Sequence, residues 1–210
     1  EASEDLASPG LYRFDLSRGE AILCLEAQCD GAAGAGQESN DAGASAVALA
    51  EGVRRDESER RRAFRSQLDR AADAYIVKRG RGSTIIAGYP WFTDWGRDTF
   101  IALRGLAIAT GRLEEARQIL VEWAGTVSDG MLPNRFPDSG ERPDFNAVDA
   151  SLWFIIAVHD YFHAAHQAGL APGPADRSAL LGAVDAIIAG YTRGTRFGIR
   201  MDGDGLLAAG

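Results

Sequence analysis

From Thr99 onward the chain alternates apolar stretches of helical period with short turns. "TFIALRGLAIAT" ends at Gly111, "LEEARQILVEWAGTVS" ends at Asp129-Gly130, and "DASLWFIIAVHDYFHAAHQAG" ends at Gly169 before Pro172. A further helix is predicted over 176–190, "DRSALLGAVDAIIAG". Glycine after the last periodic residue, with proline just beyond, is how helices stop. Some of these helices are apolar nearly all round, which predicts stacked αα-hairpins with one buried and one outer layer. The chain is therefore mainly α in this region. Its closing "FGIRMDGDGLLAAG" carries turn and short-strand chemistry instead.

Upstream the pattern differs. Residues 11–29 alternate apolar and polar positions in "YRFDL" and again in "AILCLEA", joined by "SRGE", and predict two strands around a turn at the edge of a β-domain. Residues 30–46 are rich in Gly, Ala and small polar residues and read as a flexible linker. Residues 47–80 read as helical, with a charged middle that fits a solvated helix face better than a nucleic-acid interface. The expected division is residues 1–29 as the end of a β-domain, 30–67 as linker and linker helix, and 68–210 as the helical domain.

Composition narrows the function classes. Thirty acidic residues against 22 Lys and Arg give a net charge of -8, which disfavours phosphate backbones and anionic lipid surfaces as partners. No apolar run reaches the roughly 18 residues of a membrane span, and "EASEDLASPG" lacks the basic and apolar regions of a signal peptide. A cytoplasmic protein is expected. Cys24 and Cys29 have no second pair or His at zinc-site spacing and read as free thiols. His159, His163 and His166 share one helix face, but no carboxylate is spaced to complete a ligand set, so no metal and no cofactor are expected.

Two loops hold the candidate chemistry. "GYPWFTDWGRDTF" places Trp91, Phe92, Trp95, Arg97 and Asp98 just ahead of a helix. Asp98 fits an N-cap, with Thr99 able to share the role. A cap does not explain its neighbours. Aromatic faces beside an Arg-Asp fork, with Gly96 allowing close backbone approach, suit a neutral polyhydroxyl ring: flat surfaces for its C–H faces and charged groups for its hydroxyls. The second loop, "DGMLPNRFPDSGERPDFNAVDASLWF", carries three prolines and presents Asn134, Arg135, Asp138, Asp144, Asn146 and Asp149 before another apolar helix. Asp149, like Asp98, also fits a helix cap. Both loops precede helix N-termini, so they can converge on one end of a helical barrel.

At these loops the chain closely resembles the amylo-α-1,6-glucosidase domain of glycogen debranching enzymes, with "WGRD", "LPNRF" and "VDASLWF" occurring in that order. The resemblance covers roughly 11–210 and is strongest over 87–162. It implies an (α/α)6 toroid, of which this chain is the first part, preceded by the edge of a β-sandwich domain. It further implies hydrolysis of α-1,6-linked glucose at branch points of glycogen or related α-glucans, with an α-glucan oligosaccharide as partner. Trp91, Trp95, Arg97 and Asp98 would contact the terminal glucose, and Asn134, Arg135 and Asp149 would shape the pocket from the second loop. Phe145 and Ala147 stand where the family more often carries Tyr and Thr, so two hydroxyls are missing from this loop.

An inverting glycosidase needs an acid and a base about 6.5 to 9.5 Å apart. In the family these carboxylates lie further along, past "DGLLAAG", so the catalytic pair is expected beyond Gly210. Asp98 is the rival acid within the chain. Pairing with Arg97 would favour its ionised form, the wrong one for a proton donor. Two other readings are a non-catalytic α-glucan-binding module and a helical scaffold whose aromatic loops merely pack.

Overall fold

The computed structural model describes residues 10–23, 42–80, 82–89, 91–135 and 143–209. They fall into two compact units, Glu1–Phe64 and Arg65–Gly210.

In the first unit, helix α1 (Ala42–Ala63) begins within the stretch read from sequence as linker. Its charged face is solvated, with Arg60 and Arg61 both reaching Glu57, at 2.7 and 2.6 Å. These hydrogen bonds pull the Glu57 carboxyl down to about 2. The strands expected over 11–29 are not formed among residues 10–23, which hold only a 3-10 turn at Leu16–Arg18. Alternation makes a strand only when a neighbour completes the ladder and covers one face. Here Leu11, Tyr12, Phe14 and Leu16 stay exposed. Residues 24–29, including both cysteines, lie outside the described residues, as do 30–41.

The second unit opens with helix α2 (Gln67–Asp73), capped by the Ser66 hydroxyl, which accepts from the Asp69 N–H at 3.1 Å. The helix expected to continue to Gly80 stops here. β1 (Ile76–Arg79) and β2 (Gly82–Ile85) form an antiparallel hairpin in register Ile76 with Ile85 and Arg79 with Gly82. The physical reason lies in the turn: Gly80 sits at φ 55, a left-handed conformation no helix interior contains, and the flanking Ile76 and Val77 are β-branched.

The later helices follow the sequence pattern. α3 (Gly96–Leu103) runs on as a π-helical turn, Arg104–Ile108, and ends at Gly111, φ 80. α4 is Leu113–Ala124, α5 Asp149–Gln167 and α6 Pro174–Arg193. Pro174 occupies the first turn, where its missing N–H costs nothing. A two-residue hairpin, β3 (Arg200–Met201) with β4 (Leu207–Ala208), closes the described chain.

α3 packs beside α5, while α4 crosses to both α5 and α6. Their shared core centres on Phe100, whose ring meets Trp123 and Phe154 edge-on, each at 5.2 Å. Phe100, Ile119, Leu120, Phe154, Leu180 and Ile187 are fully buried. Such interlocked aromatic and aliphatic side chains make the removal of apolar surface from water the main stabilising term. A smaller cluster of Met131, Tyr191 and Ile199 seats the loop after α4 against α6. Among the described residues no helix is long and apolar enough to cross a membrane.

Candidate functional site

The packing of α3 beside α5 brings their N-termini together, and with them the two loops that precede them. The contact is close. A Cβ on Gly96 would stand 2.8 Å from the Pro133 carbonyl oxygen and 3.5 Å from the Ala150 Cβ, so only glycine fits. The Gly96 N–H donates to the Asn134 carbonyl at 2.8 Å, and Trp95 and Arg135 form a short antiparallel bridge. The second loop is folded on itself, with Asn134 N–H donating to the Asp144 carbonyl at 2.7 Å and Asp144 N–H to that of Arg135 at 3.0 Å.

Neither helix is capped as its own sequence suggests. The N-cap of α3 is Trp95 and that of α5 is Val148, and neither side chain makes a capping bond. Asp98 and Asp149 lie one to three residues inside the helices, where negative charge still favours the N-terminal end of the dipole. The capping acceptor for α3 comes from the other loop. The Asn134 Oδ1 accepts from the Arg97 N–H at 3.2 Å, while its Nδ2 donates to Asn146 Oδ1 at 3.2 Å. Asn134 is buried, so its amide is committed to organising the loops.

The expected Arg97-Asp98 fork is replaced by a different pair. Consecutive helical residues point about 100° apart, so their side chains diverge. Arg97 instead grips Asp149 bidentately, with Nε at 3.0 and 2.8 Å from the two carboxylate oxygens and Nη2 at 2.7 Å from Oδ1. This bonding raises the Arg97 pKa further above neutrality, making it a permanent cation. Its Nη1 takes no part in that pair. Asp98 lines an open cleft of about 510 Å³ between α3 and the β1–β2 hairpin, with Arg97 at the same end and Ile85, Ala87 and Ile101 along its walls.

The aromatic residues divide by exposure. Trp95 is half-buried, with the Phe92 ring against its edge at 6.4 Å and the Arg135 guanidinium over its face at 5.7 Å. That stacked cation joins the two loops by a second route. Trp91 is 80% exposed at the tip of the first loop, whose base is closed by the Ala87 N–H donating to the Thr93 carbonyl at 2.8 Å. The structure thus gathers Trp95, Arg97, Asn134, Arg135 and Asp149 into one bonded group, with Asp98 at its flank and Trp91 outlying. Asp138 lies outside the described residues.

Two supporting groups escaped the sequence reading. Asp94 is buried and paired with Arg79 of β1, and it accepts from the Thr84 hydroxyl of β2 at 3.0 Å. Arg196 stacks on Phe145 at 3.9 Å and pairs with Asp129 at 2.9 Å, tying the second loop to the chain after α6. The partners are far apart in sequence, and local spacing carries no signal for either. On the opposite side of the question, His159 and His163 stack at 6.4 Å as exposed neighbours. Among the described residues no group of three or more His, Cys, Asp or Glu is placed to hold a metal ion.

Over 85 residues, 38% of this chain, the sequence is 41% identical to the glycogen debranching enzyme of Saccharomyces cerevisiae (strain ATCC 204508 / S288c), of which the match spans 6%. Residues 70–210, which include both loops and helices α3 to α6, match the amylo-alpha-1,6-glucosidase family. The chain belongs to that family.

Proposed function

We propose that this chain forms the first part of an (α/α)6-toroid glycosidase domain that removes α-1,6-linked glucose at branch points of glycogen or related α-glucans, in the cytoplasm and with inversion. A β-sandwich domain would precede it. One observation carries the reading: the paired N-termini of α3 and α5 present an indole, a bidentate Arg-Asp pair and a second arginine within one hydrogen-bonded group. A hexose has both apolar C–H faces and vicinal hydroxyls, and this set answers both. In this reading Trp95 stacks on the terminal glucose, Arg97 donates from Nη1, and Asp98 accepts from a hydroxyl at the cleft. Asn134, Arg135 and Asp149 hold these groups in register, and Trp91 supplies an outlying apolar face.

The acid and base are assigned to other parts of the complete domain. Asp149 is engaged by Arg97 and Asp94 is buried against Arg79, so both carboxylates are committed to these pairs rather than to a leaving oxygen. Glucose release from a branched limit dextrin by the full-length protein, followed by NMR of the anomeric proton, tests the proposal. β-Glucose appearing first is expected. No glucose would overturn the activity, and α-glucose first would overturn the inverting assignment.

A further inference from the structure

Asp94 stands in the middle of the stretch that supplies the sugar-facing side chains, yet its carboxylate is only 7% exposed. A carboxylate withdrawn from water needs a cation or hydrogen-bond donors. Both are provided by the hairpin behind the site: Arg79 on β1 pairs with Oδ2, and the Thr84 hydroxyl on β2 donates to the same oxygen at 3.0 Å. Thr84 is itself buried. Asp94 therefore ties the loop to the hairpin.

The consequence falls on Trp95. One residue before it the chain is anchored to the hairpin through Asp94, and one residue after it the Gly96 N–H is anchored to the Asn134 carbonyl at 2.8 Å. Gly96 cannot move toward the second loop, because its Cα already packs too closely for a side chain. Trp95 is the single residue between two fixed points, so where its indole stands depends on where Asp94 is held.

We infer that Asp94 is a positioning residue for substrate binding, with Arg79 and Thr84 fixing its carboxylate and, through the backbone, the stacking surface of Trp95. The inference rests on the glucosidase reading of the site. Side chains that orient the ligands of a metal typically change affinity or activity by about 10- to 100-fold when removed, and an effect at the low end of that range is expected for a side chain that orients a stacking indole. Asp94→Asn keeps the side chain's size and removes the negative charge that pairs with Arg79.

The test uses the full-length protein, with a branched limit dextrin as substrate and D-glucose as competing ligand. Asp94→Asn is expected to raise both the KM for the dextrin and the inhibition constant of D-glucose by about tenfold, and kcat should fall less than KM rises. These constants belong to each folded molecule. A purely structural loss, such as Leu120→Ala in the core, should reduce total activity and leave them in place. Because Asp94 acts through Trp95, the double variant Asp94→Asn/Trp95→Ala should have the same KM as Trp95→Ala alone. If Asp94→Asn does not fold, Thr84→Val, which removes only the hydroxyl bond, should raise both constants in the same direction. Wild-type constants in the variant that folds, or losses that add to that of Trp95→Ala, would overturn the inference while leaving the glucosidase reading intact. Absence of glucose release by the wild-type protein overturns that reading, and this inference with it.

Discussion

Two glycines on helix α6 should respond in opposite directions to the same substitution. Gly190 crosses the second loop at Gly130 so closely that a Cβ on it would lie 2.6 Å from the Gly130 Cα, 3.2 Å from its carbonyl oxygen and 3.3 Å from the Asp129 oxygen. Carbon atoms pack comfortably at about 3.5 to 4.0 Å, so Gly190→Ala must push the loop away by about 1 Å. All three obstacles are backbone atoms and cannot rotate aside. Overpacking of this kind costs about 1 to 3 kcal/mol. Alanine gains about 1 kcal/mol over glycine in a helix interior, so the net effect is a destabilisation on the order of 1 kcal/mol. Gly182, on the same helix, has nothing within 4 Å of its would-be Cβ. Gly182→Ala should therefore stabilise, by up to about 1 kcal/mol. Differential scanning calorimetry of the two variants in the full-length protein separates them, since about 1 kcal/mol moves Tm by about 2 to 4 °C in a domain of this size. The displacement also reaches the site, because Asn134 lies four positions beyond Gly130 in the same loop, so Gly190→Ala should raise KM and Gly182→Ala should not. Equal stabilisation by both substitutions would show that the Gly130–Gly190 approach is absent in solution.

Arg97→Ala and Asp149→Asn should each lower kcat/KM by at least about tenfold, and their combination should cost little more than either alone, because the two act as one pair; additive losses in a double-mutant cycle would refute the coupling. Asp98→Asn should lower hydrolysis by at least about tenfold with Tm unchanged, since hydroxyl contacts tighten as the sugar ring flattens. A lowered Tm with unchanged turnover would make Asp98 a structural residue only. Trp95→Ala should mainly raise KM, as stacking serves the ground and transition states alike; a loss confined to kcat at saturating dextrin would contradict that. Asn134→Ala removes the acceptor from the first turn of α3 and should cost about 1 to 2 kcal/mol of stability by thermal denaturation.

Helical period and glycine punctuation in the sequence were enough to place α3 to α6, because an apolar stripe and a left-handed stop are properties of neighbouring residues. The residue types of the two loops, aromatics beside Arg, Asp and Asn, were enough to single them out as candidate chemistry, and the order of their motifs pointed to the family. The same local signals misplaced the segment after α2, where Ile76 to Ile85 fold as a hairpin, since a short apolar run with basic residues fits either period until its turn is seen. They also suggested two strands over 11–29, and among the described residues 10–23 none is formed. Inside the site the partners were decided by the tertiary structure. Arg97 lies next to Asp98 in the chain but bonds Asp149, 52 positions away, and the first turn of α3 is capped by Asn134, 37 positions away. Sequence determines which groups a helix end needs and which face it buries. Which distant residue answers that need depends on how α3 and α5 pack, since only their side-by-side contact brings the two loops within hydrogen-bonding reach.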